Sequence, residues 1–68
     1  MKLSARNVLP GRIIALTKGA TIAHIKLELA PGLTMFSSIT NEAVEDLDLK
    51  VGDSAWAVIK SSDVMIGK

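Results

Sequence analysis

The chain has 68 residues and a net charge of +1, with 8 Lys and Arg against 7 Asp and Glu. This length allows a single domain over residues 1–68, and the near balance of charge argues against a general polyanion binder, which carries a clustered positive face. The sequence contains no cysteine, which excludes a disulfide framework, a cysteine-ligated metal site and a thiol nucleophile.

The first half of the sequence alternates apolar and polar residues with the period of a β-strand. We predict three strands here: residues 12–17, 21–29 and 33–39. A Pro10-Gly11 break precedes the first strand, and a turn in which Gly19 is free to take a positive φ follows it. The second strand alternates most clearly, with His24 on its polar face.

After residue 39 the apolar period becomes helical. Thr40 can cap a short helix over residues 41–47 with its hydroxyl, and Gly52-Asp53 forms a turn beyond that helix. Two further strands are predicted after this turn: residues 54–60 and 64–66. The order of elements predicts an all-β protein, a five-stranded, OB-like Greek-key barrel with one short helix between strands 3 and 4.

The composition also favours self-association. The apolar fraction is 49%, yet a chain of this size buries only about 60% of its unfolded surface, so a lone core is marginal. Without a disulfide or a metal staple, the remaining common source of stability is an apolar interface between copies. The sequence contains neither a signal-like apolar run nor a membrane span, so we expect a cytoplasmic protein.

Most of the titratable residues have a simple structural interpretation. We interpret His24 as a surface or interface histidine on an amphipathic strand. Four carboxylates form a solvated face on the helix and its exit: Glu42, Glu45, Asp46 and Asp48. One histidine and no cysteine leave few combinations of nucleophile and base, so we predict no enzyme activity.

Two short polar clusters remain, and both have the chemistry of an oxyanion site. They are Ser4-Ala5-Arg6-Asn7 near the start of the sequence and Lys60-Ser61-Ser62 at the end of the fourth predicted strand. Each cluster joins a cation to hydroxyl and backbone donors, which suit a small tetrahedral oxyanion. A basic residue beside a serine is common in proteins, so neither cluster identifies a site by itself.

Four segments of the sequence together resemble the Mop domain, the unit of the molbindins. They are the opening Ser4-Ala5-Arg6-Asn7-Val8-Leu9-Pro10-Gly11, the Ile39-Thr40 step before the helix, the turn Leu49-Lys50-Val51-Gly52-Asp53, and the close over residues 57–64. The segments follow the order and spacing of the family over essentially the whole chain. The sequence closely resembles the small clostridial molybdenum-pterin-binding proteins, which consist of a single Mop domain.

This resemblance implies an OB-like barrel that binds molybdate or tungstate. It also implies a homohexamer, a trimer of dimers, with oxyanion sites between subunits. By motif position, Ser4 and Arg6 of one subunit would face Thr40, Lys60 and Ser61 of another. The ion would be held by charge and hydrogen bonds, with no directly ligated metal and no organic cofactor.

One position departs from the pattern of the family. Many members have a serine three residues after the threonine, and this sequence has Ala43 there. A backbone N–H of Ala43 at the start of the helix would be the replacement donor. The family also has a second class of site near its symmetry axes, and the candidates for it here are Gly19, Ala20, Ile22 and His24.

The function most favoured by these features is reversible capture of a bare dianion for intracellular molybdenum storage or homeostasis. An alternative is binding of the molybdopterin cofactor itself, for which a subunit interface would have to supply the cleft. A nucleic-acid-binding OB domain would need stacking aromatics, and the sequence has only Phe36 and Trp56. We therefore predict no nucleic-acid and no membrane partner. A purely structural oligomer with incidental anion sites also fits the sequence.

Overall fold

The computed structural model describes residues 2–68 as one antiparallel sheet with a short helix. Its elements are β1 (Asn7–Lys18), β2 (Ile22–Ala30), β3 (Leu33–Thr40), α1 (Asn41–Asp46), β4 (Ser54–Ile59) and a 3-10 turn (Ser61–Asp63). The strand order is β3-β2-β1-β4, in which a fourth strand returns to lie beside the first of three hairpin-connected strands. This order confirms the predicted all-β Greek-key fold, with its helix between the third and fourth strands.

β1 is longer than predicted, because Pro10 and Gly11 lie inside it. Its first half pairs with β4 and its second half with β2, and Arg12 has a partner in each. The Ile13 N–H donates to the Asp53 carbonyl at 2.9 Å, so Ile13 occupies a hydrogen-bonded position. Hydrogen-bonded and non-hydrogen-bonded positions alternate along an antiparallel ladder, and Pro10 is three residues before Ile13. Pro10 therefore occupies a non-hydrogen-bonded position opposite β4, where its missing N–H costs no ladder bond. The predicted break at Pro10-Gly11 was therefore wrong, because β1 continues through both residues.

Gly11 is required where β1 passes from β4 to β2. A Cβ atom at this position would lie 2.7 Å from the Glu28 carbonyl oxygen and 2.9 Å from Leu27 Cγ. Glycine lets the two backbones approach closely, which is a role that a glycine can have inside a strand. The register of β1 against β2 also shifts between Ile13 and Ala15, and such a bulge bends the strand.

The core lies between β1, β2 and α1. The buried residues are Ile13, Ala23, Ile25, Leu27 and Val44. Three of them alternate along β2, as the sequence pattern predicts, and His24 lies between them on the exposed face. The helix contributes Val44 and ends one residue earlier than predicted, with Leu47 as its C-cap. Within residues 2–68, no helix has the length and hydropathy needed to cross a membrane.

The sheet remains open between its two edge strands, β3 and β4. A groove of about 680 Å³ lies there, with mostly apolar walls that include Phe36, Ile39, Leu47, Leu49 and Trp56. Phe36 keeps 76% of its surface exposed, and Trp56 keeps 56%. Both aromatic side chains therefore remain largely exposed to the solvent.

The predicted fifth strand, residues 64–66, is not a strand in this structure. After the 3-10 turn the chain continues without ladder pairing, and Met65 and Ile66 are 93% and 91% exposed. The apolar run has the composition of a strand, but a strand also requires a neighbouring edge, and this segment pairs with none among residues 2–68. The described chain therefore forms four strands, not five.

Candidate functional site

The two polar clusters meet at one end of the β1–β4 ladder. The last pair of that ladder is Asn7–Ile59, so Arg6 and Lys60 are the residues that continue the chain from it. The Asn7 side-chain amide also donates to the Ile59 carbonyl at 3.3 Å, which ties the two segments together. We name this group the cationic end, and its members are Ser4, Arg6, Lys60 and Ser61.

The side chains of the cationic end are accessible, since all four residues are exposed. Within residues 2–68, neither Arg6 nor Lys60 forms an ion pair with a carboxylate. Lys60 has an extended backbone and is followed by Ser61, the first residue of the 3-10 turn. Two cations and two hydroxyl groups thus lie at one end of a single ladder, where they can meet an anion together.

The resemblance places Ser4 and Arg6 on one subunit and Lys60 and Ser61 on the facing one, and that division stays a prediction. Within one chain, the pairing of β1 with β4 places the segment that precedes Asn7 beside the segment that follows Ile59. The reason is topological, because β4 runs antiparallel to β1 and its last residue therefore lies beside the first residue of β1.

A second set of predicted residues lies at the start of α1, and we name it the cap end. Thr40 is the N-cap of the helix, as predicted, and its Oγ1 accepts a hydrogen bond from the Ala43 N–H at 3.1 Å. The Ala43 donor that the resemblance offers is therefore engaged within the chain. The Thr40 hydroxyl can still donate its own proton to a ligand, because a threonine hydroxyl can accept one hydrogen bond while it donates another.

The cationic end and the cap end lie at opposite ends of β1. Thr40 pairs with Ile22 at the start of β2, and the start of β2 pairs with the end of β1 at Lys18. Arg6, in contrast, precedes the first residue of β1, a strand of 12 residues. The structure does not bring the two ends together within one chain.

The candidates for a second site surround the turn between β1 and β2. The Gly19 N–H donates to the Ile22 carbonyl at 2.8 Å and closes this turn. Gly19 does not take the positive φ that the sequence suggested; a Cβ there would instead lie 2.9 Å from the Ile22 carbonyl oxygen, so close approach explains the glycine. Ala20 is exposed, and His24 Nδ1 lies 3.0 Å from Ser38 Oγ on the paired strand.

Asn41 is a residue at this place that the sequence analysis missed. Its side-chain amide donates to the Gly19 carbonyl at 3.0 Å, and its backbone N–H donates to the Thr21 carbonyl at 2.8 Å. The sequence offered a single signal for this contact, namely an asparagine directly after the capping threonine. The turn that it binds is distant in sequence, so the contact could not be read from the local pattern.

The clearest perturbation of a titratable group is away from both ends. Lys50 Nζ donates a hydrogen bond of 2.9 Å to Asp48 Oδ2, and this bond, together with the charge of Asp48, raises the pKa of Lys50. Asp48 has a positive φ of 50°. The pair belongs to the connection between α1 and β4, where both side chains are exposed.

Comparison with known proteins identifies the family. The TOBE domain model matches residues 3–66 of the chain. Over 66 residues the chain is 47% identical to molybdenum-pterin-binding protein 3 of Clostridium pasteurianum, with 97% of each sequence covered. The chain belongs to the TOBE-domain family and, within it, to the molybdenum-pterin-binding (Mop) proteins. This assignment confirms the resemblance read from the four sequence segments.

Solved structures of similar proteins agree with this family assignment. A molybdate-binding protein from Sporomusa ovata superposes with a TM-score of 0.93 at 34% identity and covers all of both chains. ModG, a cytoplasmic molybdate-binding protein solved with molybdate bound, gives a TM-score of 0.89 at 46% identity, over 96% of this chain and 46% of ModG. The OB-like fold is thereby confirmed, and these relatives are named as binding proteins.

Proposed function

We propose that this Mop-family chain binds molybdate or tungstate reversibly at interfaces between its own copies, for molybdenum storage or homeostasis in the cytoplasm. The observation that carries the proposal is the cationic end, where two cations and two hydroxyls lie at one end of the β1–β4 ladder and neither cation has a carboxylate partner in the described part of the chain. The relatives from S. ovata and ModG are named for molybdate binding, and ModG is also described as cytoplasmic.

The chemistry of the ion fits these groups. Molybdate at neutral pH is a dianion without a proton, so it only accepts hydrogen bonds. Arg6 and Lys60 supply positive charge, and Ser4 and Ser61 supply hydroxyl donors at the same end. Charge-assisted bonds of this kind contribute about 1.5–3 kcal/mol each, so four to six of them support roughly micromolar binding after the cost of ordering.

The cap end completes the site from a second copy. One subunit contributes Ser4, Arg6, Lys60 and Ser61, and its neighbour contributes the Thr40 hydroxyl. The separation of the two ends along β1 supports this division. Phosphate near pH 7 carries at least one proton and would place it against a donor, so a pocket of donors alone favours molybdate. Sulfate, also a bare dianion, is distinguished by its smaller size.

The open side of the sheet supports assembly of copies, in the hexamer that the resemblance implies. The groove between β3 and β4 has apolar walls, and the segment over residues 64–66 leaves Met65 and Ile66 almost fully exposed. Burial of apolar side chains contributes about 1.5–3 kcal/mol each, so this segment of one copy is stabilised by lying in the groove of another. Binding of the ion between copies then stabilises the assembly further.

A pterin ligand is a second candidate, and one observation favours it. Two aromatic residues, Phe36 and Trp56, are among those that line the groove, and a flat heterocycle stacks on exposed aromatic rings. The clostridial relatives are named as molybdenum-pterin-binding proteins. Elemental analysis for molybdenum and fluorescence of the purified protein separate the two ligands, since only a pterin would add its own emission and quench Trp56.

The oxyanion site is tested by removing its charges one at a time. We expect Arg6→Ala and Lys60→Ala each to weaken molybdate binding by roughly tenfold or more, as measured by calorimetry. Lys2→Ala is the matched control, because it removes an exposed cation close to Ser4 but outside the cluster. Unchanged affinity in both site variants, or an equal loss in the control, would count against the site.

The location between copies is tested by mixing variants. Subunits with Arg6→Ala and Lys60→Ala retain an intact cap end, whereas Thr40→Val subunits retain an intact cationic end. In a mixed dimer, one of the two sites combines the two intact ends and the other combines the two altered ones. We expect co-refolded subunits to recover up to about half of the high-affinity sites in each mixed dimer, as counted by native mass spectrometry. No recovery would place the whole site inside one chain.

A further inference from the structure

The start of α1 is anchored to the turn between β1 and β2 by one residue. The Asn41 side-chain amide donates to the Gly19 carbonyl at 3.0 Å, and the Asn41 N–H donates to the Thr21 carbonyl at 2.8 Å. The same turn is closed by the bond from the Gly19 N–H to the Ile22 carbonyl, and Ile22 is the ladder partner of Thr40. A closed set of contacts therefore surrounds the capping threonine.

The side-chain amide of Asn41 combines one hydrogen bond that is made with one atom that has no partner among residues 2–68. Its Oδ1 atom is buried and has no hydrogen-bond partner among residues 2–68. A buried polar atom without a partner is destabilising, and such atoms are rare in native proteins. A leucine of similar size would avoid this cost but would leave the Gly19 carbonyl without this donor, so the bond to Gly19 is the contact that distinguishes the asparagine.

We propose that Asn41 is a positioning residue for the Thr40 hydroxyl, an inference that rests on the proposed function of the cap end. Asn41 holds the start of α1 against the Gly19–Ile22 turn, and Thr40 is the residue directly before it. The hydroxyl is then already oriented when an oxyanion held by the neighbouring copy arrives. A donor fixed in advance loses less conformational freedom on binding, so affinity rises without any contact between Asn41 and the ion.

The test is a double-mutant cycle on molybdate affinity. Asn41→Ala and Thr40→Val are made singly and together, and the dissociation constant of molybdate is measured by calorimetry on the assembled protein. We expect Asn41→Ala to weaken binding roughly three- to tenfold, the range of one neutral hydrogen bond. In the Thr40→Val background the same change should alter affinity by less than about twofold, because the group that Asn41 orients is gone.

The outcomes separate this inference from the proposed function. Normal affinity in Asn41→Ala, or an equal loss in both backgrounds, overturns the positioning role while Thr40→Val still reports on the site. Normal affinity in Thr40→Val overturns the cap end, and the inference falls with it. Asn41→Ser retains a shorter donor and should lie between wild type and Asn41→Ala; it provides the same cycle if the alanine variant fails to assemble, as judged by native mass spectrometry.

Discussion

Two regions of the molecule differ in how completely the chain covers its own apolar residues. Between β1, β2 and α1, the described residues alone bury side chains such as Ile13, which keeps 1% of its surface exposed. Between β3 and β4, Phe36 remains 76% exposed, and Ile66 beyond the 3-10 turn remains 91% exposed. The first region is a core that the chain buries by itself, whereas the second has the exposed apolar surface that marks an interaction site. Substitutions in the two regions should therefore change different equilibria.

The largest effect is expected on the buried side, from Ile13→Ala. Removing this buried side chain leaves a cavity and should lower the free energy of unfolding by about 2–5 kcal/mol, as measured by urea denaturation. Ile14→Ala is the matched control, because Ile14 is the same residue type one position along and is 36% exposed. Equal losses in the two variants would mean that the core is not where the structure places it.

Ile66→Asp probes the open side. If residues 64–66 lie in the groove of another copy, a carboxylate in place of Ile66 should weaken the free energy of association by about 1.5–3 kcal/mol per buried side chain. We expect the assembly to dissociate at a higher protein concentration than wild type, as followed by sedimentation over a dilution series. Ile66→Leu should retain the assembly. An Ile66→Asp protein that assembles like wild type would exclude this segment from the interface.

Gly11→Ala acts where β1 passes between its two partners. The new Cβ would lie 2.7 Å from the Glu28 carbonyl oxygen, and a backbone atom cannot move aside as a flexible side chain does. We expect a loss of about 1–3 kcal/mol in the free energy of unfolding, seen as a lower melting temperature. Gly67→Ala has open space around it and is the control. A neutral Gly11→Ala would show that the crossing is looser than described.

The smallest effect is expected at the exposed pair after α1. Asp48→Asn removes the charge that raises the pKa of Lys50, so this pKa should fall towards 10.5 in an NMR titration. Because the folded-state pKa is the raised one, the contribution of the pair is fully present below about pH 10.5 and is lost as the pH rises through the folded value. Asparagine also tolerates the positive φ at this position. An unmoved Lys50 titration would exclude Asp48 as the cause.

Several features of the fold could be predicted from local patterns. The alternation along β2 predicted its buried face, because side chains of a strand point to opposite sides in turn. Thr40 was predicted as the helix cap, since a threonine hydroxyl before a helical period satisfies a free N–H at the helix start. The two polar clusters were found from their composition, and the family from four short segments in order.

The remaining features depend on partners that are distant in the sequence. Pro10 looks like a break until its ladder position is known, and Gly11 looks like a turn until Glu28 is seen beside it. The contact of Asn41 with Gly19 joins residues 22 positions apart. Local propensity contains no information about which edge, carbonyl or backbone a residue will meet after folding.

The sequence by itself determined the class of fold, the buried face of β2, the capping threonine and the chemistry of the candidate site, because each depends on residue type and short-range spacing. Only the tertiary structure decided that β4 returns beside β1, that the cationic end collects Arg6 and Lys60 in one chain, and that Thr40 lies at the far end of β1. Strand pairing brings together residues separated by dozens of positions, and that pairing is fixed by the free energy of the whole sheet rather than by any one segment.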